Sequence, residues 1–513
     1  MRRRHLVLLV ASLAPPRLIA QATPTGPLAA QLAPFMQAPA SRGASWGALV
    51  VSLTTGDTLF SWRADRPFIP ASNAKLFTTA AALHYLTPGY RFLTVLYADG
   101  PVEQGVLRGN LVLYGTGDPT FALDTAALAP FADNVVRAGI RTVRGDVVGD
   151  ASFLGGELTG PGWSPDDLGR AYAAPPSALG AAENRITLTV RPASRVGLPA
   201  TVRVDPPNDY YAVQSVVITG RAGDPTSITL TRGASRGLID LAGTIPVTSG
   251  AWSQGVPVEE PAVFAAALLR QLLRARGVGV SGATRAVSDD ASARAARMLS
   301  RAAEGRDPFS GAIAVRRSAP LDQIVSMINH RSHNLSAELA LRTIGRMVEH
   351  EGSYASGTRA VERFLTRDVG IAPNAVMVSD GSGLSILDAA TPRALVQLLA
   401  YMRRAPEAAA FVASLPAAGE GLHGRMRGTA AAGRLRAKTG TLDGVSALAG
   451  YVTTLGGEEL AFSIIVNRAP SLAQARAAQD SIGVRLSLLS RPVPAGGRAR
   501  RSGAASRPRG CCR

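Results

Sequence analysis

The chain has 513 residues, 46% of them hydrophobic and only 18% charged, a balance that leaves room for about three domains and excludes a disordered chain as a whole. The formal net charge is +18, but four arginines precede Thr23 and seven lie between Arg491 and Arg513, so the middle carries only about +7. That modest excess comes with no zinc-finger spacing, basic-aromatic motif or basic helix repeat, which argues against a nucleic-acid partner.

In chain order, Arg2 to Arg4 form a basic n-region, Leu6 to Ala14 a short apolar h-region, and Ala20-Gln21-Ala22 an A-x-A cleavage site. Pro15-Pro16-Arg17 breaks the apolar run well short of the roughly 20 residues a membrane span needs. Residues 1–22 therefore read as an export signal, which directs the chain to the periplasm or cell envelope; an uncleaved, loosely anchored form is the alternative. Cys511 and Cys512 are the two cysteines and sit in the tail, so the body has no disulfide and no thiolate metal site. A cysteine-free body suits an oxidising compartment.

Gly47 to Phe60 predicts two strands around Thr54-Thr55-Gly56-Asp57, and Ala74 to Leu86 an apolar-periodic helix introduced by Pro70-Ala71-Ser72. Residues 95–252 carry short β-type runs with frequent Gly and Pro, as expected of inserted β-rich modules, the second at about 183–245. Val263 to Arg276 predicts an amphipathic helix ending at Gly277. Ser288 to Asp307 reads as a loop or loosely held helix. Leu321 to Val348 is helical around a polar break at His330 to Asn334, and Thr391 to Met402 is another helix. Gly433 to Asn467 predicts three strands, Leu472 to Leu489 a closing helix, and residues 491–513 a disordered basic tail. The expected division is 23–94 with 253–490 as one catalytic unit, interrupted by 95–252.

The 55 basic residues include only two lysines, Lys75 and Lys438. Arginine stays charged at any working pH, whereas a buried lysine can lose its proton. A chain that otherwise uses arginine keeps lysine where arginine cannot substitute; chance survival would account for either lysine alone, less readily for both, because each lies inside a motif.

Ser72-Asn73-Ala74-Lys75 is an S-x-x-K at a helix start, which puts Ser72 and Lys75 on one face. A serine is a weak nucleophile until a base takes its proton. A neutral Lys75 could serve, given desolvation and a second nearby cation to lower its pKa. Ser72 opens the helix, so its own N–H can donate into an oxyanion hole. Taken alone, the motif is equally a serine N-cap followed by a surface lysine. Ser332-His333-Asn334 is an S-x-N in the helical break: Ser332 could relay a proton between the lysines and a leaving amine, and Asn334 could hold Lys75 and a substrate amide, or the segment simply caps the helix after it. Lys438-Thr439-Gly440-Thr441 opens an apolar strand along which a peptide could add as a further strand. Gly440 would permit close approach, Lys438 with Thr439 or Thr441 would bind a terminal carboxylate, and the Thr441 N–H would be the second oxyanion donor. A turn with a surface lysine is the plain alternative.

The order S-x-x-K, S-x-N, K-T-G resembles the serine acyl-transfer pattern of penicillin-binding proteins and β-lactamases. Ser72 and Ser332 are 260 positions apart, far more than in an ordinary β-lactamase. With LVLYGTGDPTF (111–121), GDVVGDA (145–151), YAAPPSALGAAEN (172–184), DGSGLS (380–385) and RLRAKTGTLDGVSALAGY (434–451), the chain resembles the D-alanyl-D-alanine carboxypeptidase/endopeptidase family, the class C low-molecular-mass penicillin-binding proteins, over about Gly43 to Leu489.

That resemblance implies an α/β (α+β) fold: a transpeptidase/β-lactamase-like domain with a central antiparallel sheet flanked by helices, plus inserted β-rich domains. It implies a Ser72 acyl-enzyme that cleaves D-Ala-D-Ala and D-Ala cross-links in peptidoglycan stem peptides, with β-lactams as covalent inhibitors and no metal or cofactor. It also implies a pocket for the stem peptide's diamino acid. There Trp163 would wall the methylenes, Asp166 would pair with the ammonium, and Leu442 would be an apolar contact. Where relatives carry a carboxylate-binding arginine after Gly383-Leu384-Ser385, this chain has Ile386, with Arg393 further on. A triad through His84, His330 or His423 has no support in the spacing. The rival readings are a β-lactamase-like hydrolase or esterase using the same serine, and a non-catalytic wall-binding protein. The basic tail leaves a peripheral contact with wall or membrane polymers open.

Overall fold

Strands from the two ends of the chain alternate inward and outward residues and pair with one another. The computed structural model describes residues 27–38, 42–288, 309 and 311–492; the proposed export signal, nearly all of the Ser288–Asp307 stretch and the tail beyond residue 492 lie outside them. Ser45–Ser52 pairs on one side with Thr58–Trp62 and on the other with Glu459–Asn467, which continues to Val445–Thr453 and then Leu435–Leu442. All four pairings are antiparallel, and Leu435–Leu442 forms an edge.

Period-2 alternation sends Ala447, Ala449, Tyr451, Ala461 and Ile465 to one face and Leu448, Val452, Leu460, Phe462, Ile464 and Val466 to the other. Both sets are buried, so both faces must be covered by helices. The first face takes helices Ala74–Leu86, Leu321–Arg331, Asn334–Glu349, Tyr354–Arg363 and Pro392–Met402. Leu472–Ser487 covers the second, together with Pro27–Gln37, a helix the sequence reading passed over. Its Leu28, Leu32 and Met36 recur every fourth residue and are all buried. Each such side chain contributes roughly 1.5–3 kcal/mol of burial.

A second five-stranded sheet runs Thr284–Val287, Val147–Asp150, Asn110–Gly115, Leu93–Asp99, Ala312–Arg317. Helix Pro261–Ala275, expected with the catalytic unit from residue 253, packs here instead: Phe264, Ala265 and Leu269 share a core with Leu111, Leu113 and Val147. Its apolar stripe reveals a helix but not which sheet it will cover, and the strand pairings on either side of it decide that. Arg185 to Pro257 forms two three-stranded sheets, one of Thr201–Asp205, Arg185–Arg191 and Trp252–Pro257, the other of Ala212–Gly220, Leu238–Pro246 and Ser227–Arg232. They enclose Ile186, Leu188, Val217, Ile239 and Leu241.

Candidate active site

Pro70 ends the extended approach to the Ala74–Leu86 helix, and Ala71 takes a left-handed φ of 48° before a 3₁₀ turn over Ala71–Asn73. A non-glycine residue in that region is uncommon and signals a turn held by its surroundings. The holding contact is visible: a Cβ on Gly383 would stand 2.0 Å from the Ala71 carbonyl oxygen, so the 380–385 loop seats directly against the turn that carries Ser72.

The three motifs converge. Lys75 Nζ lies 3.0 Å from Ser72 Oγ, 2.7 Å from Asn334 Oδ1 and 2.6 Å from the Ser382 carbonyl oxygen, and the side chain is 0% exposed. Ser332 caps the Leu321–Arg331 helix in left-handed geometry, φ 53°, and Lys438 Nζ donates to its hydroxyl at 2.9 Å and to the Thr439 carbonyl at 2.8 Å. His333 caps the Asn334–Glu349 helix through Nδ1, which accepts from the Ser336 N–H at 3.4 Å. Gly440 belongs to the edge strand, and a Cβ there would meet the Pro70 carbonyl oxygen at 2.7 Å and the Ser72 nitrogen at 3.1 Å. The K-T-G strand thus approaches the turn that carries Ser72 as closely as backbone allows.

Burial lowers the Lys75 pKa to about 8, against the opposing pull of Asp380, Glu338 and Asp388. Burial, and then the charge of Lys75, holds Lys438 well below the ordinary lysine value. Beneath Lys75, burial and the Asp380 charge raise Glu338 to about 8 and lift Asp388 well above the carboxylate range. These three acids went unread in the sequence, although Asp380 lies in a quoted stretch.

A cleft of about 600 Å³ opens over Ser72, lined among others by Asn334, Thr441, Leu442, Asp166, Asp167, Tyr172 and Ile386. None of the described Lys, Arg or His side chains lines it; His84 packs on Tyr85 and Phe364, and His330 bonds to the Ser326 carbonyl. Arg393 is also elsewhere, paired with Asp65 at 2.5 Å. Trp163 departs from its expected place. It is 8% exposed and does not itself line the cleft; it packs with Ala173 and with Leu384, which does, and donates Nε1–H to Asp380 Oδ2 at 2.8 Å. Its indole N–H needed a buried acceptor, and Asp380 provides one. Arg476, not anticipated, donates to Thr441 Oγ1 at 3.1 Å near the C-terminal end of the edge strand. Among the described residues no group of three or more His, Cys, Asp or Glu is arranged to hold a metal.

The model of the D-Ala-D-Ala carboxypeptidase 3 (S13) family matches residues 28–487. A D-alanyl-D-alanine carboxypeptidase of Actinomadura sp. (strain R39) is 35% identical over 466 residues, covering 88% of this chain and 83% of its own length. The D-alanyl-D-alanine carboxypeptidase DacB of Haemophilus influenzae is 23% identical over 433 residues, 83% of this chain and 86% of that one. The crystal structure of penicillin binding protein 4 from H. influenzae superposes with a TM-score of 0.77 at 22% identity, covering 89% of this chain and 99% of that one, and so shares the fold.

Proposed function

The chain belongs to the D-Ala-D-Ala carboxypeptidase 3 (S13) family and is a serine-type D-alanyl-D-alanine carboxypeptidase; from that premise we propose that Ser72 is its nucleophile and Lys75 the base that activates it. The observation that carries this is the 3.0 Å contact between Ser72 Oγ and a fully buried amine whose pKa is depressed to about 8. At that value a tenth or so of Lys75 is neutral near pH 7, against well under a thousandth at 10.5. Two of the positions around Nζ face the Asn334 and Ser382 oxygens. The lone pair of the neutral amine then has Ser72 as its remaining partner.

The reaction divides into two acyl transfers. Lys75 takes the Ser72 proton while Oγ bonds to the carbonyl carbon of the penultimate D-alanine. The oxyanion is held by the N–H groups of Ser72 and Thr441. The carbon–nitrogen bond breaks as the leaving amine receives, through Ser332, the proton that Lys75 took from Ser72, which returns Lys75 to its neutral form, while Lys438 holds the Ser332 hydroxyl in place. Water then attacks the ester, Lys75 takes its proton, and Oγ leaves as the hydroxyl. In the free protein burial favours uncharged Lys438. A substrate carboxylate arriving at Thr439, Gly440 and Thr441 would restore its charge, with Arg476 alongside Thr441 as a second cation.

The same acyl-enzyme serves a DD-endopeptidase when the leaving amine belongs to a neighbouring stem peptide rather than to free D-alanine, and we assign both activities to the site. Asp166 and Leu442 line the cleft where an extended side chain would lie. Trp163 does not itself line it. Export to the cell envelope fits the N-terminal pattern and a peptidoglycan substrate; no helix among the described residues is long and apolar enough to cross a membrane. The test is release of D-alanine from a peptide ending in D-Ala-D-Ala. The wild type should release it and Ser72→Ala should not; equal release by both would end the assignment.

A further inference from the structure

Of the three oxygens within hydrogen-bond reach of Lys75 Nζ, two, Asn334 Oδ1 and the Ser382 carbonyl, belong to groups tied back to the same stretch of chain, residues 163–172. Asn334 accepts from Lys75 through Oδ1, and its Nδ2 donates to the Tyr172 carbonyl at 3.0 Å. The Ser382 carbonyl accepts from Lys75, and its loop is gathered by Asp380: Oδ1 takes the N–H groups of Ser382 at 3.0 Å and Gly383 at 2.6 Å, Oδ2 takes that of Ser385 at 2.8 Å. The fourth donor to Asp380 is the indole N–H of Trp163. Four N–H donors share its two oxygens, and the Asp388 carboxyl is a further hydrogen-bond partner. Trp163 and Tyr172 bracket Ser164, Asp166 and Asp167, which form one wall of the cleft.

We propose that Asp380, fixed by Trp163, is a positioning residue for the Lys75 amine, and that the Trp163–Tyr172 cleft wall sets the direction of that amine's lone pair by holding both of its hydrogen-bond acceptors. This rests on Lys75 being the base that activates Ser72. With both N–H directions committed to Asn334 and Ser382, the lone pair has one partner left. Loosening either acceptor lets the amine rotate away from Oγ, and a small misplacement of reacting groups costs on the order of 100-fold in rate. The wall against which a substrate docks is thereby joined to the base by two short chains of hydrogen bonds. Lys75 is faced by Asp380, Glu338 and Asp388 from below and by Lys438 from the K-T-G strand. Burial and the Asp380 charge favour the protonated forms of Glu338 and Asp388, so Asp380 is the anion that Lys75 meets most directly.

The experiment is stopped-flow acylation by a fluorescent penicillin from pH 5 to 10, normalised to enzyme that labels at completion, for the wild type, Asp380→Asn and Trp163→Phe. Asp380→Asn removes the anion and the acceptors of two N–H groups. Its plateau rate should fall at least about 10-fold, and the midpoint of its acid limb should move down by about one unit, because a nearby opposite charge no longer favours the ammonium. Trp163→Phe leaves the carboxylate less compensated, so its midpoint should move up while its rate falls. A purely structural role would lower the labelled fraction or the rate and leave both midpoints at the wild-type value, which would overturn the proposal. Should Asp380→Asn yield no labelled enzyme, Trp163→Phe decides alone: an unmoved midpoint refutes. A wild type that labels away from Ser72 would instead refute the underlying assignment of the base.

Discussion

Gly440→Ala isolates the fit between the K-T-G strand and the turn that carries Ser72, the proposed nucleophile. Gly440 is in ordinary extended strand, so alanine carries no conformational penalty there and acts only through its methyl group. That methyl would stand 2.7 Å from the Pro70 carbonyl oxygen, 3.1 Å from the Ser72 nitrogen and 3.2 Å from the Ala447 Cβ. The first contact is with backbone and cannot be relieved by a rotamer change. The edge strand is tied to Val445–Thr453 on its inner side, so strand and turn must part by roughly half an ångström or more, the usual response to overpacking, at a cost of about 1–3 kcal/mol. Parting them separates the Ser72 and Thr441 N–H groups, the two proposed oxyanion donors, and losing such a donor costs about 100-fold or more. The assay is the acylation rate with a fluorescent penicillin, alongside the denaturant midpoint. Gly89→Ala is the control, since a Cβ there meets nothing within 4 Å. Gly440→Ala acylating at the wild-type rate would refute the close approach of strand and nucleophile.

Lys75→Arg keeps a cation but cannot yield a neutral amine, so acylation should fall by about 1,000-fold or more at pH 7, measured by the same stopped-flow method. Below the Lys75 pKa of about 8 the wild-type acylation rate should rise about tenfold per pH unit and then level; a flat profile between pH 5 and 8 would contradict a lysine base. The folded-state pKa of Lys75 lies below its unfolded value, so between about pH 8 and 10.5 the unfolded chain binds the extra proton. Wild-type stability should therefore rise across that window relative to Lys75→Met, as read by denaturant titrations at each pH. Asp166→Asn should raise KM for stem peptides with a free side-chain amine by several-fold more than for their N-acetylated counterparts, since only the former offer an ammonium to pair with. Ile386→Arg should improve turnover of peptides whose diamino acid bears a side-chain carboxylate, because the wild-type cleft has no described cation to meet one.

The parts of the site that could be read in the sequence are those in which unlike residues recur at fixed short spacing. Ser72 and Lys75 share a helix face, and the scarcity of lysine marked both Lys75 and Lys438. Periodicity likewise gave Ala74–Leu86, and it placed three strands between Gly433 and Asn467, the span that holds Leu435–Leu442, Val445–Thr453 and Glu459–Asn467. What could not be read depends on burial and on partners far apart in the chain. Asp380 and Trp163 are 217 positions apart, and nothing local to either announces the bond between them. DGSGLS has the look of a turn, and its use as a scaffold for the Lys75 acceptor appears only once Gly383 is seen against Ala71. Glu338 lies one turn beyond Asn334, a spacing that places it on the same face, and that was the available signal. Pro27–Gln37 escaped notice because Pro34 interrupts its pattern beside the export segment.

The most direct test of the proposed chemistry is intact-protein mass spectrometry after benzylpenicillin treatment, followed by peptide mapping of the adduct. One penicilloyl group per chain on Ser72, absent from Ser72→Ala, is the expected result. An adduct on any other residue, or none on a protein that still releases D-alanine, would contradict it.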